Sequence, residues 1–204
     1  QLSGVTVHRL TPDGTGIEIE PNSTIVLQVH YNTLTADPTP DQTEIALKLS
    51  DSVDKQARFV PFTNPTWVNQ EGAMNIPAGA DGVTHSFSYD IASIAGSAVT
   101  VHDVFFHMHQ LGDSGRLWID RSDETTDCLL DIPRWDFNWQ RGYRLNSPKT
   151  LRKGDELGIE CVWDNTRSNQ PVINGQRQSP TDVDWGEGTT DEMCLGVLYT
   201  TMAN

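Results

Sequence analysis

The chain has 204 residues and a formal charge of −14, room for one large or two small domains. That excess of acid over base argues against nucleic acid, whose phosphates need clustered Lys and Arg, and it disfavours an anionic membrane surface. No apolar run approaches the ~18 residues of a membrane span. Cys128, Cys161 and Cys194 allow at most one intramolecular disulfide and leave one thiol over, a count compatible with either redox compartment. Few Lys, many Asn, Thr and Trp and the acidic balance point to a secreted protein, extracellular or periplasmic. No signal peptide is visible and Gln1 is not an initiator residue, so the chain is expected to begin after processing or to be a piece of something longer.

In chain order, residues 17–20 and 24–31 read as two strands joined by Pro21-Asn22-Ser23, the second rich in β-branched and aromatic residues. A Thr-, Asp- and Pro-dense loop follows, and residues 43–49 then alternate polar with apolar as a half-buried strand does. Residues 61–72, with Pro61, Asn64 and Pro65, read as a linker, which puts a domain boundary near Phe59. Pro77-Ala78-Gly79-Ala80-Asp81-Gly82 is a turn, and residues 84–89 alternate after it. Residues 98–108 form a strand, the turn at Gly112 to Gly115 makes a hairpin, and residues 116–120 are its return. Residues 128–132, 135–140, 143–145, 157–163 and 193–200 continue the strands, with a turn at Lys153-Gly154-Asp155. No stretch holds a helical period. The fold class is all-β, an antiparallel jelly-roll-like sandwich.

The chemistry centres on Phe105-Phe106-His107-Met108-His109. Residues two apart on a strand share a face, so His107 and His109 can offer two imidazoles to one metal ion. Thr190-Asp191-Glu192-Met193-Cys194 supplies a candidate third ligand. Alternation puts Met193, Leu195, Val197 and Tyr199 on one face and Cys194, Gly196 and Leu198 on the other, so Met193 and Cys194 cannot serve the same site. A thioether favours Cu(I), and imidazole suits copper in both oxidation states. The plainer alternative is that Met193 fills a gap in the core. His102 falls on the face opposite His107 if the strand is regular, and reads as structural. His85 reads as a surface residue. Trp135, Trp139, Trp163 and Trp185 fit either sheet packing or a stacking platform for sugars.

His107-Met108-His109-Gln110-Leu111-Gly112, Trp135-Asp136-Phe137-Asn138-Trp139-Gln140 and Thr190-Asp191-Glu192-Met193-Cys194 occur in that order. Together they resemble three signature stretches of the copper type II, ascorbate-dependent monooxygenases, the family of peptidylglycine α-hydroxylating and dopamine β-monooxygenases, in a form like its bacterial relatives. Pro77-Ala78-Gly79 and Lys153-Gly154-Asp155 fit as well. The resemblance covers residues 59–204 as the carboxy-terminal, oxygen-activating domain, with residues 1–58 as the end of an incomplete amino-terminal domain that holds the electron-transfer copper. It implies copper ligands at His107, His109 and Met193, a disulfide between Cys161 and Cys194, and Cys128 as the odd thiol. A bridge closing that loop contributes roughly 3 kcal/mol by the loop-entropy model. It further implies O2 and a small organic substrate, hydroxylation of an unactivated C–H bond, and electrons from ascorbate or another one-electron donor through the second copper.

Gln28-Val29-His30-Tyr31-Asn32 looks like the strand that gives the last histidine of that second copper, so His30 is its candidate ligand. The family's upstream His-His pair is absent from this sequence, so either the amino-terminal portion is missing, the preferred reading, or this second copper is absent. Amidating members carry an Arg two residues before the first His ligand and a Tyr four after the Met, where this sequence has Phe105 and Val197. A carboxylate would meet no cation there and would pay an uncompensated desolvation cost, which disfavours a peptidylglycine substrate and favours an apolar or aromatic C–H donor. The rival reading is a non-catalytic copper- or ligand-binding sandwich that kept the scaffold. A cupin-type His-x-His site lacks both the Glu shortly after the pair and the later third His.

Overall fold

The computed structural model describes residues 12, 14–27, 29, 40, 42, 44–173 and 175–203. Among them the strands are β1 (Thr15–Ile17), β2 (Lys55–Phe62), β3 (Val83–Tyr89), β4 (Val99–His107), β5 (Gly112–Asp120), β6 (Thr126–Ile132), β7 (Gly142–Leu151), β8 (Glu156–Trp163), β9 (Val172–Ile173), β10 (Gln176–Arg177) and β11 (Leu195–Met202). Two short helices interrupt them, α1 (Pro65–Asn69) and α2 (Ile91–Ala95). One sheet has the order β1-β2-β11-β4-β7, and a second has the order β3-β8-β5-β6. All pairings are antiparallel except β1 with β2. The fold is an antiparallel β-sandwich.

The core lies between the two sheets. Val101, Val104 and Phe106 of β4 and Leu198 of β11 belong to one cluster with Leu117, Ile119, Leu157, Ile159 and Trp163 of the facing sheet. On β4 the buried positions switch from odd (Val99, Val101) to even (Val104, Phe106). A register shift between Val101 and Asp103, against both neighbours of β4, accounts for the switch. The strand is therefore not regular, and His102 is not simply turned away from His107. Its ring meets Tyr199 edge-on, and its Nε2 lies 2.9 Å from Thr201 Oγ1. His85 is also not a surface residue: it is half-buried between Trp67 and Trp163.

The expected hairpin at Gly112 to Gly115 does not exist. β4 belongs to the five-stranded sheet and β5, which begins at Gly112, to the four-stranded one, so residues 108–111 cross from one layer to the other. The glycines serve packing rather than a turn. A Cβ on Gly115 would sit 2.3 Å from Phe106 Cε1, and one on Gly112 would sit 2.6 Å from Trp135 Cδ1. Gly115→Ala should therefore cost about 1–3 kcal/mol through forced repacking, read as a lower denaturant midpoint with an unchanged slope.

Three further expectations need correcting. Residues 135–140 form a loop, because Asp136 Oδ1 accepts from Asn138 N at 2.9 Å, an Asx turn that ends extension. The linker read at residues 61–72 contains the end of β2 and the helix α1, which Asn64 caps and Pro65 starts. Residues 18–20, 24–27 and 44–49 are not strands, and Ile25, Val26, Leu27, Ile45, Leu47 and Leu49 are exposed. Alternation marks a chain suited to a sheet, but a ladder needs a partner edge, and no described residue pairs with these.

Candidate metal centre

β4 ends at His107, Met108 is fully buried, and His109 lies in the crossover. The two imidazoles are not on one strand as expected, yet they converge: their ring centroids are 4.9 Å apart at an interplanar angle of 78°. Burying Met108 in the core leaves its two neighbours turned to the same side of the chain.

Each ring is pinned through its Nδ1. His107 Nδ1 lies 2.6 Å from Gln140 Oε1, and Gln140 Nε2 donates to the Phe137 carbonyl at 2.8 Å. That second bond fixes the amide so that its oxygen faces His107, which makes Nδ1–H the donor. His109 Nδ1 lies 2.8 Å from the Asp191 carbonyl, an acceptor only, and so donates as well. Both imidazoles are thus held as the Nδ1–H tautomer with the lone pair on Nε2, the arrangement in which histidines bind metals. Phe137 meets His109 edge-on at 6.3 Å, and the Phe105 ring stacks on His107 at 6.3 Å and 16°. Trp135 Nε1 donates to the His109 carbonyl at 2.9 Å. The Trp135–Gln140 loop therefore walls the two rings. Trp135 and Trp163 are core residues and Trp185 packs against the core, while Trp139 is exposed; the four do not form one platform.

The third expected residue arrives on the segment before β11. Leu195 is the register partner of His107, where the ladder begins, and Met193 stands two residues before it on the segment leading into β11. It is half-buried, whereas Cys194 is fully buried and bonded to Cys161 of β8. The alternation expected of β11 holds from Leu195 to Leu198, with Gly196 and Leu198 buried and Leu195 and Val197 less so, and ends at Tyr199, which is buried as well. Cys128 is free and exposed.

Glu192 went unnoticed in the sequence. Its side chain is 0% exposed and accepts from His109 N at 2.8 Å, Leu111 N at 2.7 Å and Trp163 Nε1 at 3.0 Å. Burial pushes its carboxyl up from 4.5 to about 7 against the pull of those donors, which favour the ionised form. Between these two values the unfolded chain has lost the proton that the folded chain keeps. Stability contributed by this group is therefore present below pH about 4.5 and lost as pH rises through about 7. Chemical denaturation of the metal-free protein across that window should show the fall, and E192Q should flatten it.

Phe105 and Val197, expected in the substrate pocket, are register partners, so they stand side by side next to His107. Both are half-buried, and Pro61 flanks Val197 on the other side. His30 lies outside the described residues. Among the described residues no three His, Cys, Asp or Glu side chains cluster as a metal site. Any third donor beside the two imidazoles would come from another residue type, and Met193 lies on the segment that leads into β11, the neighbour of β4. Gln140 was legible only as part of a motif; its bond to His107 needed the loop's fold.

A family model described as copper type II ascorbate-dependent monooxygenase, C-terminal domain, matches residues 69–201. DBH-like monooxygenase protein 1 of Mus musculus is 31% identical over 102 residues, 50% of this chain and 15% of that protein. The chain thus spans a small part of the length of that relative. Among the described residues, no helix is long and apolar enough to cross a membrane.

Proposed function

The chain belongs to the copper type II ascorbate-dependent monooxygenases, matching their carboxy-terminal domain, and from that premise we propose that His107, His109 and Met193 bind one copper that activates O2. The observation that carries the reading is the pinning of both rings through Nδ1, by Gln140 and by the Asp191 carbonyl, beside the segment that bears Met193. Two imidazoles and a thioether form a donor set that stabilises Cu(I) and is compatible with Cu(II). Copper bound there would supply O2 activation and one-electron chemistry.

The chain's own residues orient and exclude. Gln140 and Asp191 hold the rings in one tautomer, and Phe137 and Phe105 keep water from their faces. Phe105 and Val197 offer an apolar bed without a cation, suited to an apolar or aromatic C–H donor and poor for a carboxylate. The product is the hydroxylated substrate, and ascorbate or another one-electron donor supplies the electrons. In the full-length protein those electrons would come through a second copper, with His30 one of its ligands and residues 1–58 part of the domain that holds it. The disulfide between Cys161 and Cys194 suits a secreted protein, extracellular or periplasmic.

The test is a Cu(I) titration of this chain followed by X-ray absorption. One tightly bound equivalent with two nitrogen scatterers and one sulfur is the expected result, together with ascorbate-driven O2 uptake by the full-length protein. Binding without a sulfur scatterer overturns the ligand set. A proper copper site without O2 uptake would favour the rival reading, a binding sandwich.

A further inference from the structure

We infer that Glu192 is a positioning residue that ties the His109 arm to the Met193 arm of the proposed copper site; the inference rests on that reading of the site. Between β4 and β5 the chain leaves one sheet for the other, and the backbone N–H groups of His109 and Leu111 lose their ladder partners. Buried N–H groups must be satisfied from elsewhere. One carboxylate satisfies both: Glu192 Oε2 accepts from His109 N at 2.8 Å and Oε1 from Leu111 N at 2.7 Å. Trp163 Nε1 of β8 donates to Oε2 at 3.0 Å and fixes the carboxylate in the core.

Simple packing would not place a carboxylate here. The side chain is fully buried, and an apolar residue of similar size would avoid its desolvation cost but leave two backbone donors orphaned. What singles Glu192 out is its place in the chain. It directly precedes Met193, so the clasp that completes the crossover also sets how far the thioether strand stands from His109. Neighbouring residues close the same seam: the Asp191 carbonyl accepts from the His109 ring, and Cys194 is bonded to Cys161, two residues from Trp163 on the same strand. Met193 is thus held from both sides. A single acceptor bridging donors two residues apart permits one separation of the two arms.

Glu192→Gln keeps the size but replaces one acceptor oxygen with an NH2 that faces an N–H donor. The variant should fold with its disulfide intact. In the metal-free protein the His109 and Leu111 amides should exchange at least about 10-fold faster. In the Cu(I) form the sulfur scatterer should weaken or vanish, with Cu(I) affinity down about 10-fold or more, the scale of losing a partner that orients a ligand. A folded Glu192→Gln protein that retains the sulfur scatterer and wild-type Cu(I) affinity overturns the inference. Should that variant not fold, Trp163→Phe decides: it keeps a ring in the core and removes one anchor of the carboxylate. Several-fold weaker Cu(I) binding is then expected, and unchanged binding overturns the role. Absence of a sulfur scatterer in the wild-type protein would instead defeat the copper assignment itself.

Discussion

Replacing Met193 with isoleucine is expected to abolish turnover of the full-length protein while leaving the fold near native. The two halves of this expectation have separate causes. Met193 is half-buried and lies outside β11, so a swap of similar volume should cost less than about 1.5 kcal/mol. The thioether is the soft donor of the proposed set, and no sulfur or nitrogen of isoleucine can replace it. Loss of a partner that only orients a ligand already costs 10–100-fold in affinity or activity, so loss of the ligand should exceed about 100-fold in Cu(I) affinity. Melting of the metal-free variant, Cu(I) competition and ascorbate-driven O2 uptake separate the effects. Undiminished activity in a folded variant would defeat the assignment.

The fold class was open to a sequence reading because alternation survives in stretches of the strands: Val83 to Phe87 in β3, Ile159 to Trp163 in β8, Leu195 to Leu198 in β11 and, on either side of its register shift, β4. What stayed hidden depended on contacts far apart in the chain. Gly112 and Gly115 look like turn residues, yet they are small because Trp135 and Phe106 press against them. No local pattern distinguishes a glycine required by a turn from one required by a neighbour's ring. The bulge at His102 is similar, since one extra residue shifts a strand's parity without changing its composition. Residues 44–49 carry the right alternation but no partner among the described residues.

The candidate site shows the same division. His107, His109 and Met193 could be singled out because side-chain chemistry names metal donors wherever they lie. Their supports could not. Gln140 is an ordinary amide until the Trp135–Gln140 loop folds over β4, and the Asp191 carbonyl belongs to the backbone, which sequence does not distinguish. Glu192 sits in plain view beside Met193, but its neighbours in sequence are polar or exposed-looking, and only the crossover at residues 108–111 explains why an acid is buried there. The sequence reading that Phe105 and Val197 replace the carboxylate-holding pair of amidating members gains a spatial meaning, since the two are register partners beside His107.

Removing the Cys161–Cys194 bridge should lower stability by about 3 kcal/mol, and it should weaken the metal site as well. The bridge spans a sequence separation of 33, so its loss frees a loop of that length in the unfolded chain. Both cysteines are fully buried in the cluster with Trp163, Leu117 and Leu198, so small substitutes such as alanine also leave a void. At about 2–4 °C per kcal/mol for a chain of this size, Cys161→Ala/Cys194→Ala should melt about 6–12 °C lower. The bridge fastens the residue after Met193, while Glu192 fastens the residue before it. Releasing one side leaves the thioether segment tethered only at the other, so Cu(I) affinity of the folded variant should fall with the melting temperature. A variant that melts lower but binds Cu(I) as the parent does would show that the bridge serves the sandwich alone, and that the Glu192 clasp suffices to place the sulfur.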